Sequence, residues 1–309
     1  MTPAQKGERA TNSATGCGER TRPPLAATEP GKNVYDWGTT QSSTLTATRH
    51  YMRRRQYSLA FSLAFAFSSI AQTADAQPPV ATLGIARVDT LLATNQLPAA
   101  VAAVEQALAA APREFEVLWR ASRVRALQGD LAPAKSKVQA RAYQEALELA
   151  ERAIKANSVA PDGYVRRAAA AGKVALFSGT LDAADQVVQA KEDAERVIAM
   201  RTAPPTLQAS AEYILGRTHL KLTETPRPLR MPLGLGFGNL ADALLHLRRA
   251  TLLRPGFIMF QLDYARALVE DGRAAEARSI LQALASLPEP EIGDDARKRD
   301  AVALSATLR

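Results

Sequence analysis

The chain has 309 residues, of which 47% are hydrophobic and 6% aromatic, and its formal net charge is +8. From Gln77 onward, 30 basic residues stand against 26 acidic ones, so half of that charge lies in the first 76 residues. Nucleic-acid-binding proteins carry dense basic patches, often with interleaved aromatic residues. The sequence after residue 76 has no such run, which argues against nucleic-acid binding.

Residues 1–51 are rich in Thr, Gly, Pro, Ser and charged residues and have neither helical nor strand periodicity. Such a segment cannot bury enough apolar area to offset the entropy lost on ordering. We therefore expect a disordered extension, or translated sequence upstream of the true start.

Residues 52–76 have the order of a secretory signal peptide. Arg53 to Arg55 give a positive start, Leu59–Ile70 is mostly apolar, and Ala74-Asp75-Ala76 resembles a cleavage site. The apolar run is too short for a stable membrane span. The pattern predicts a periplasmic or secreted protein without a membrane span after cleavage; a buried helix or an N-terminal anchor is the alternative.

Cysteine and histidine, which are common in metal sites and in nucleophilic catalysis, are scarce in this chain. The only cysteine, Cys17, lies in the N-terminal extension, and His219 and His246 are the only histidines after residue 76. No Walker, zincin or serine nucleophile motif occurs. We therefore expect a non-enzymatic protein with no metal and no cofactor.

Residues 77–309 form the main domain and have a repeating helical pattern. Five segments have a small residue followed by apolar or small residues at offsets of four and seven, which places all three on one helix face. They begin at Ala100, Ala146, Ala190, Ala243 and Ala277. Partner helices are predicted before them, at Leu83–Thr94, Phe115–Gln128, Tyr164–Ser178, Leu207–Leu222 and Phe257–Asp271. Turns are predicted at Gly129-Asp130, Gly179 and Asp271-Gly272.

This arrangement resembles the tetratricopeptide repeat, whose period is about 34 residues. The largest insertion is Thr223–Gly238, and Glu291–Arg309 is predicted to be a helix that covers the last repeat, as solenoid ends require. The predicted fold is all-α: a right-handed α-solenoid of about five degenerate tetratricopeptide-like helix pairs with a C-terminal capping helix.

Short motifs give a closer resemblance. Leu118-Trp119-Arg120-x-x-Arg123 and Leu215-Gly216-Arg217 are similar to the regulator of microtubule dynamics family and its bacterial tetratricopeptide relatives. The segment Ala243–Pro255 and the helix pair Phe257–Pro288 continue the similarity. The resemblance covers roughly residues 115–309 and implies the same repeat fold.

A basic residue follows a small one in four of the predicted first helices, and these residues are Arg123, Lys173, Arg217 and Arg266. Equivalent positions in stacked repeats point the same way, so the four cations are predicted to line the concave groove, with Trp119 and Tyr213 one turn earlier. Such a ladder favours an acidic ligand. Ion pairs that hold neighbouring helices together are the alternative.

The function that these features favour is a protein-binding adaptor or scaffold of the cell envelope, which holds an acidic peptide or partner segment in the concave groove. One alternative is a self-assembling component of an envelope complex, and the oligomeric state would separate the two. A second is a small-molecule or nucleotide binder that uses the Gly-rich insertion Gly234–Gly238.

Overall fold

The computed structural model describes residues 80–288 and 291–308. The predicted extension at 1–51 and the predicted signal peptide at 52–76 lie outside these residues and stay predictions.

The described residues form helices joined by short turns, with no β-strand among them. The helices are α1 Val80–Ala93, α2 Leu97–Ala110, α3 Phe115–Leu131, α4 Lys137–Ala156, α5 Pro161–Val174, α6 Thr180–Ala199, α7 Pro205–Thr223, α8 Arg227–Arg230, α9 Leu240–Leu253, α10 Ile258–Glu270, α11 Ala274–Leu284 and α12 Asp294–Thr307. The predicted all-α class is confirmed.

The helices pack as five consecutive pairs: α1 with α2, α3 with α4, α5 with α6, α7 with α9, and α10 with α11. The first helices of consecutive pairs also contact one another, whereas the second helices make few or no such contacts within the described part. The first helices are therefore closer together, and we call the side that they line the inner face. The α-solenoid predicted from the repeats is confirmed.

Small residues make the pairing possible. The five predicted small positions of the second helices are each at most 1% exposed; they are Ala100, Ala146, Ala190, Ala243 and Ala277. A methyl group or a hydrogen at such a position lets the partner helix approach closely. The predicted contact face of the second helices is thus confirmed.

One predicted turn is wrong. Gly129 lies inside α3, which continues to Leu131, and the chain turns only afterwards. A Cβ atom at Gly129 would lie 2.3 Å from Cε1 of Tyr143 on α4. The glycine is therefore needed for close packing rather than for a turn. By contrast, Gly272 has a φ of +77° and does form the predicted turn.

The C-terminal segment contacts both the last pair and the first pairs. As predicted, α12 covers α10 and α11, and Ala301 is 2% exposed in their apolar cluster. Ile292, just before α12, instead belongs to the apolar cluster of α1 to α4 that contains Leu118. Residues 291–293 thus lie where the chain returns to its first two helix pairs.

Two glycines test the close-packing constraint as a matched pair. An added Cβ at Gly216 would lie 2.6 Å from Cγ and 2.9 Å from the backbone N of Leu247, whereas none lies within 4 Å at Gly172. We expect Gly216→Ala to lower the free energy of unfolding by about 1–3 kcal/mol, because α9 must move. Gly172→Ala should raise it by about 0.5–1 kcal/mol, since alanine favours the helix. Urea denaturation of both variants measures the difference, and equal effects would contradict this account.

Candidate functional site

Each of the four predicted groove cations has a carboxylate partner. Arg123 lies 3.0 Å from Glu291, Arg217 lies 3.1 Å from Asp263, and Arg266 lies 2.9 Å from Asp263 and 3.0 Å from Asp300. Lys173 pairs with Asp130. The cations therefore form three separate groups on the first helices, and the continuous row expected from the spacing is divided. Their part in binding stays a prediction.

The group around Asp263 joins α7 to α10. The Asp263 side chain is 5% exposed and accepts a hydrogen bond of 2.6 Å from the Tyr213 hydroxyl. Burial, and then the Asp263 charge, raise the pKa of Tyr213 well above its ordinary value. The Tyr213 ring stacks on Phe260 at 4.6 Å. Tyr213, predicted as a groove aromatic, is thus engaged in contacts between these two helices.

The group around Lys173 lies at the end of α5. Its partner Asp130 also accepts a hydrogen bond of 2.9 Å from the Tyr143 hydroxyl, and the Lys173 ammonium lies 5.0 Å from the centre of the Tyr143 ring. Burial is the main cause that raises the pKa of Tyr143, with Asp130 adding to it. This group ties α5 to α3 and α4.

The third group surrounds Glu291 and combines three arginines, Arg123 on α3, Arg166 on α5 and Arg254 at the end of α9, which we call the arginine cluster. The two carboxylate oxygens of Glu291 bind different arginines, Oε2 accepting from Arg123 at 3.0 Å and Oε1 from Arg254 at 3.1 Å. These side chains are only 18–35% exposed, so water screens their charges incompletely.

Arg166 contributes a third positive charge to this group. Its Nε atom is buried and has no hydrogen-bond partner, although the residue as a whole is partly exposed. Burial, and then the neighbouring Arg123, lower the pKa of Arg166 to about 10, while Asp162 and Glu291 act in the opposite direction. The cluster thus holds more positive charge than Glu291 alone can balance.

The sequence interpretation missed Arg166 and Arg254. A usable signal is the Arg166-Arg167 pair, because consecutive helical residues point about 100° apart and cannot both face the second helix. Arg167 makes two hydrogen bonds of 2.7 Å to Asp193 on α6. Arg166 therefore points away from α6, toward the arginine cluster.

Trp119 lies beside the arginine cluster on α3. Its indole Nε1 donates a hydrogen bond of 3.0 Å to Glu116, and the guanidinium groups of Arg120 and Arg166 lie 4.0 and 5.9 Å from the centre of its ring. A ring held between cations offers an apolar surface of fixed orientation. Of the predicted groove residues, Arg123 and Trp119 are the two that the structure places near each other at this group.

The two histidines lie together between α7 and α9. Their rings are 5.7 Å apart, and His246 Nδ1 is 2.6 Å from Glu212, whereas His219 Nδ1 is buried without a hydrogen-bond partner. No group of three potential metal ligands of the His, Cys, Asp or Glu type occurs in the part of the chain that the structure describes.

The Gly-rich insertion folds around a buried arginine. Arg230 is 7% exposed and donates to the carbonyl groups of Thr225, Leu235 and Gly238 at 3.1, 2.7 and 2.7 Å. A phosphate cradle presents backbone N–H groups to its ligand. Here backbone carbonyls converge on the arginine, so the segment is held as a closed loop against α6 and α7.

The model of the family described as "Regulator of microtubule dynamics protein 1-3" matches residues 84–309. The chain belongs to this family. The resemblance seen in the first-helix motifs is therefore confirmed. Among curated proteins, no sequence relative matches the chain.

Two solved structures are similar to this family member. The tetratricopeptide repeat protein TTC0263 of Thermus thermophilus is 15% identical, with a TM-score of 0.54 over 72% of this chain and 99% of that one. A MamA protein structure is 16% identical, with a TM-score of 0.39 over 74% of this chain and 97% of that one. The TTC0263 similarity supports a tetratricopeptide-like fold. Within residues 80–288 and 291–308, no helix is long and apolar enough to cross a membrane.

The Asp263 group yields a stability prediction. Replacing Arg217 and Arg266 together by Ala leaves a buried carboxylate with one hydroxyl partner, so the free energy of unfolding should fall by about 1–3 kcal/mol. Arg299, 71% exposed, pairs with the similarly exposed surface residue Asp295, and Arg299→Ala should change little. Thermal unfolding followed by circular dichroism measures both. Equal melting temperatures for the double variant and the wild type would refute a structural role for these arginines.

His219 yields a prediction about pH. Burial is the main cause that lowers its pKa below the ordinary 6.5, with His246 and Lys191 adding to this while Asp242 and Glu195 oppose it. Below pH 6.5 the unfolded chain therefore takes up a proton that the folded chain resists. The resulting stability is complete above pH 6.5 and is lost as the pH falls toward the folded pKa.

We expect the wild type to lose more stability than His219→Gln between pH 7 and about 5, where the unfolded imidazole becomes charged. Urea denaturation across this range compares the two slopes. Parallel pH profiles would mean that His219 is not held neutral by the fold.

Proposed function

We propose that this protein is a non-enzymatic adaptor that binds an acidic segment of a protein partner on its inner face. The observation that carries the proposal is the arginine cluster, where Glu291 pairs with both Arg123 and Arg254 and the nearby Arg166 adds a third guanidinium group. The tetratricopeptide-like fold supports it, because stacked first helices give an extended surface suited to a peptide.

Arginine suits this role for a physical reason. Its planar guanidinium group stays charged and can donate two parallel hydrogen bonds to one carboxylate. A hydrogen bond to a charged group contributes about 1.5–3 kcal/mol. The partial enclosure of Arg123 and Arg254, 27% and 35% exposed, reduces screening by water and salt. A few such contacts therefore suffice to orient an acidic segment.

The proposed place of action is the cell envelope. The signal-peptide pattern at residues 52–76 supports it, with Arg53 to Arg55 before the apolar run and Ala76 at the expected cleavage point. Fractionation of cells that express the full chain, followed by N-terminal sequencing, tests this part. A mature protein that begins at Gln77 in the periplasmic or secreted fraction is expected, and an uncleaved cytoplasmic chain would reject it.

Fluorescence anisotropy with labelled decaglutamate and decaglutamine peptides tests the binding function. The wild type should bind decaglutamate and not decaglutamine, and added salt should weaken the binding. Replacing Arg123 and Arg254 by Gln should weaken it about tenfold or more, since each lost charged contact contributes about 1.5–3 kcal/mol.

The matched control is Arg248→Gln, which removes one exposed charge from the second helix α9. This variant should bind decaglutamate as the wild type does. If Arg248→Gln weakens binding as much as the double variant, the attraction comes from overall charge and the inner-face site is rejected.

Light scattering of the free protein should give a monomer; a stable oligomer would instead favour a self-assembling envelope component.

A further inference from the structure

The chain places one of its own acidic residues at the arginine cluster. Glu291 bridges Arg123 and Arg254, residues from the second and fourth helix pairs, with one carboxylate oxygen for each. These two arginines are far apart in sequence, and Glu291 joins them from a third segment. The sequence predicted that an acidic group of a partner would bind the inner face. In the structure, Glu291 of the C-terminal segment takes that place.

The next residue supplies an apolar contact. Ile292 is 9% exposed and belongs to the apolar cluster of the first pairs, against which Phe115 and Trp119 also pack. Residues 291 and 292 therefore present a carboxylate and a branched aliphatic side chain to adjoining parts of the same surface. Charge fixes the orientation of the segment, and burial of the isoleucine strengthens its attachment.

The backbone of this segment depends mainly on itself. Asp294 accepts a hydrogen bond of 3.0 Å from the Glu291 N–H, and Arg297 donates to the Ile292 carbonyl at 3.1 Å and to Asp294 at 2.8 Å. Gly293, with a φ of +87°, turns the chain into α12. Because these bonds are local, they do not tie residues 291–293 to the inner face.

The charges at the cluster are incompletely balanced while Glu291 is bound. The buried Nε of Arg166 has no hydrogen-bond partner, and a buried donor without an acceptor is unfavourable. Glu291 acts on Arg166 through its charge, but its two oxygens are already bonded to Arg123 and Arg254.

We infer that Glu291 and Ile292 are an intramolecular ligand of the arginine cluster, which a partner displaces with its own acidic residue followed directly by a branched aliphatic one. This inference rests on the proposed adaptor function and names the ligand that the site takes. The site consists of the three arginines together with the apolar surface that contacts Ile292. Release of residues 291–293 accompanies binding.

The test uses the full chain and a fluorescein-labelled peptide with the sequence of residues 286–297, which contains the Glu291-Ile292 pair. The proteins are the wild type, the double variant Glu291→Gln with Ile292→Ser, and the control Asp295→Asn, which changes an exposed acid of the same segment. An internal ligand bound nine-tenths of the time lowers the apparent affinity for a competitor about tenfold.

We therefore expect the peptide to bind the double variant about tenfold or more tightly than the wild type or the control. Adding Arg123→Gln to the double variant should reverse most of this gain, because Arg123 binds one of the two carboxylate oxygens. A peptide in which Glu291 and Ile292 are exchanged for Gln and Ser should not bind the double variant. Equal affinity for the wild type and the double variant would overturn the inference.

Hydrogen–deuterium exchange of the wild type tests the same inference without the double variant, which could fold poorly. In the wild type, saturating unlabelled peptide should increase exchange at residues 291–293 and leave α10 and α11 unchanged. Unchanged exchange at residues 291–293 with peptide bound would overturn the inference. If decaglutamate binds in an Arg123-dependent way while Glu291 stays protected, the adaptor function stands and the internal ligand is rejected. If no acidic peptide binds to any variant, both proposals fail.

Discussion

The close approach of paired helices at small residues is the constraint on which the rest of this structure depends. An added Cβ at Gly216 would lie within 3 Å of the backbone of α9, and one at Gly129 would overlap the ring of Tyr143. Because each pair packs this closely, its first helix has a fixed position relative to the next pair. The side chains of the first helices consequently meet on the inner face in a defined arrangement.

That arrangement explains why cations recur on the first helices without forming one row. Arg217 and Arg266 converge on Asp263, whereas Lys173 reaches Asp130 on α3. Most of these pairs tie neighbouring helices together. The cluster around Glu291 differs, because one carboxylate binds two arginines there and the Nε atom of the nearby Arg166 is buried without an acceptor.

The C-terminal segment does more than cover the last repeat. Helix α12 shields the apolar face of α10 and α11, as the end of a solenoid requires. The residues just before it reach the first pairs, where Ile292 joins their apolar cluster. One segment thus covers the last pair and also occupies the arginine cluster.

The sequence by itself determined the helix pairs, the small contact positions and the capping helix, because periodicity and packing at Ala100, Ala146 or Ala277 are local properties of each helix. It also singled out Arg123 and Trp119, which the structure places at the arginine cluster. Only the tertiary structure decided that Arg166 and Arg254 join Arg123 around Glu291. These residues are far apart in the chain, and their meeting depends on how successive helix pairs are displaced, which no local pattern encodes.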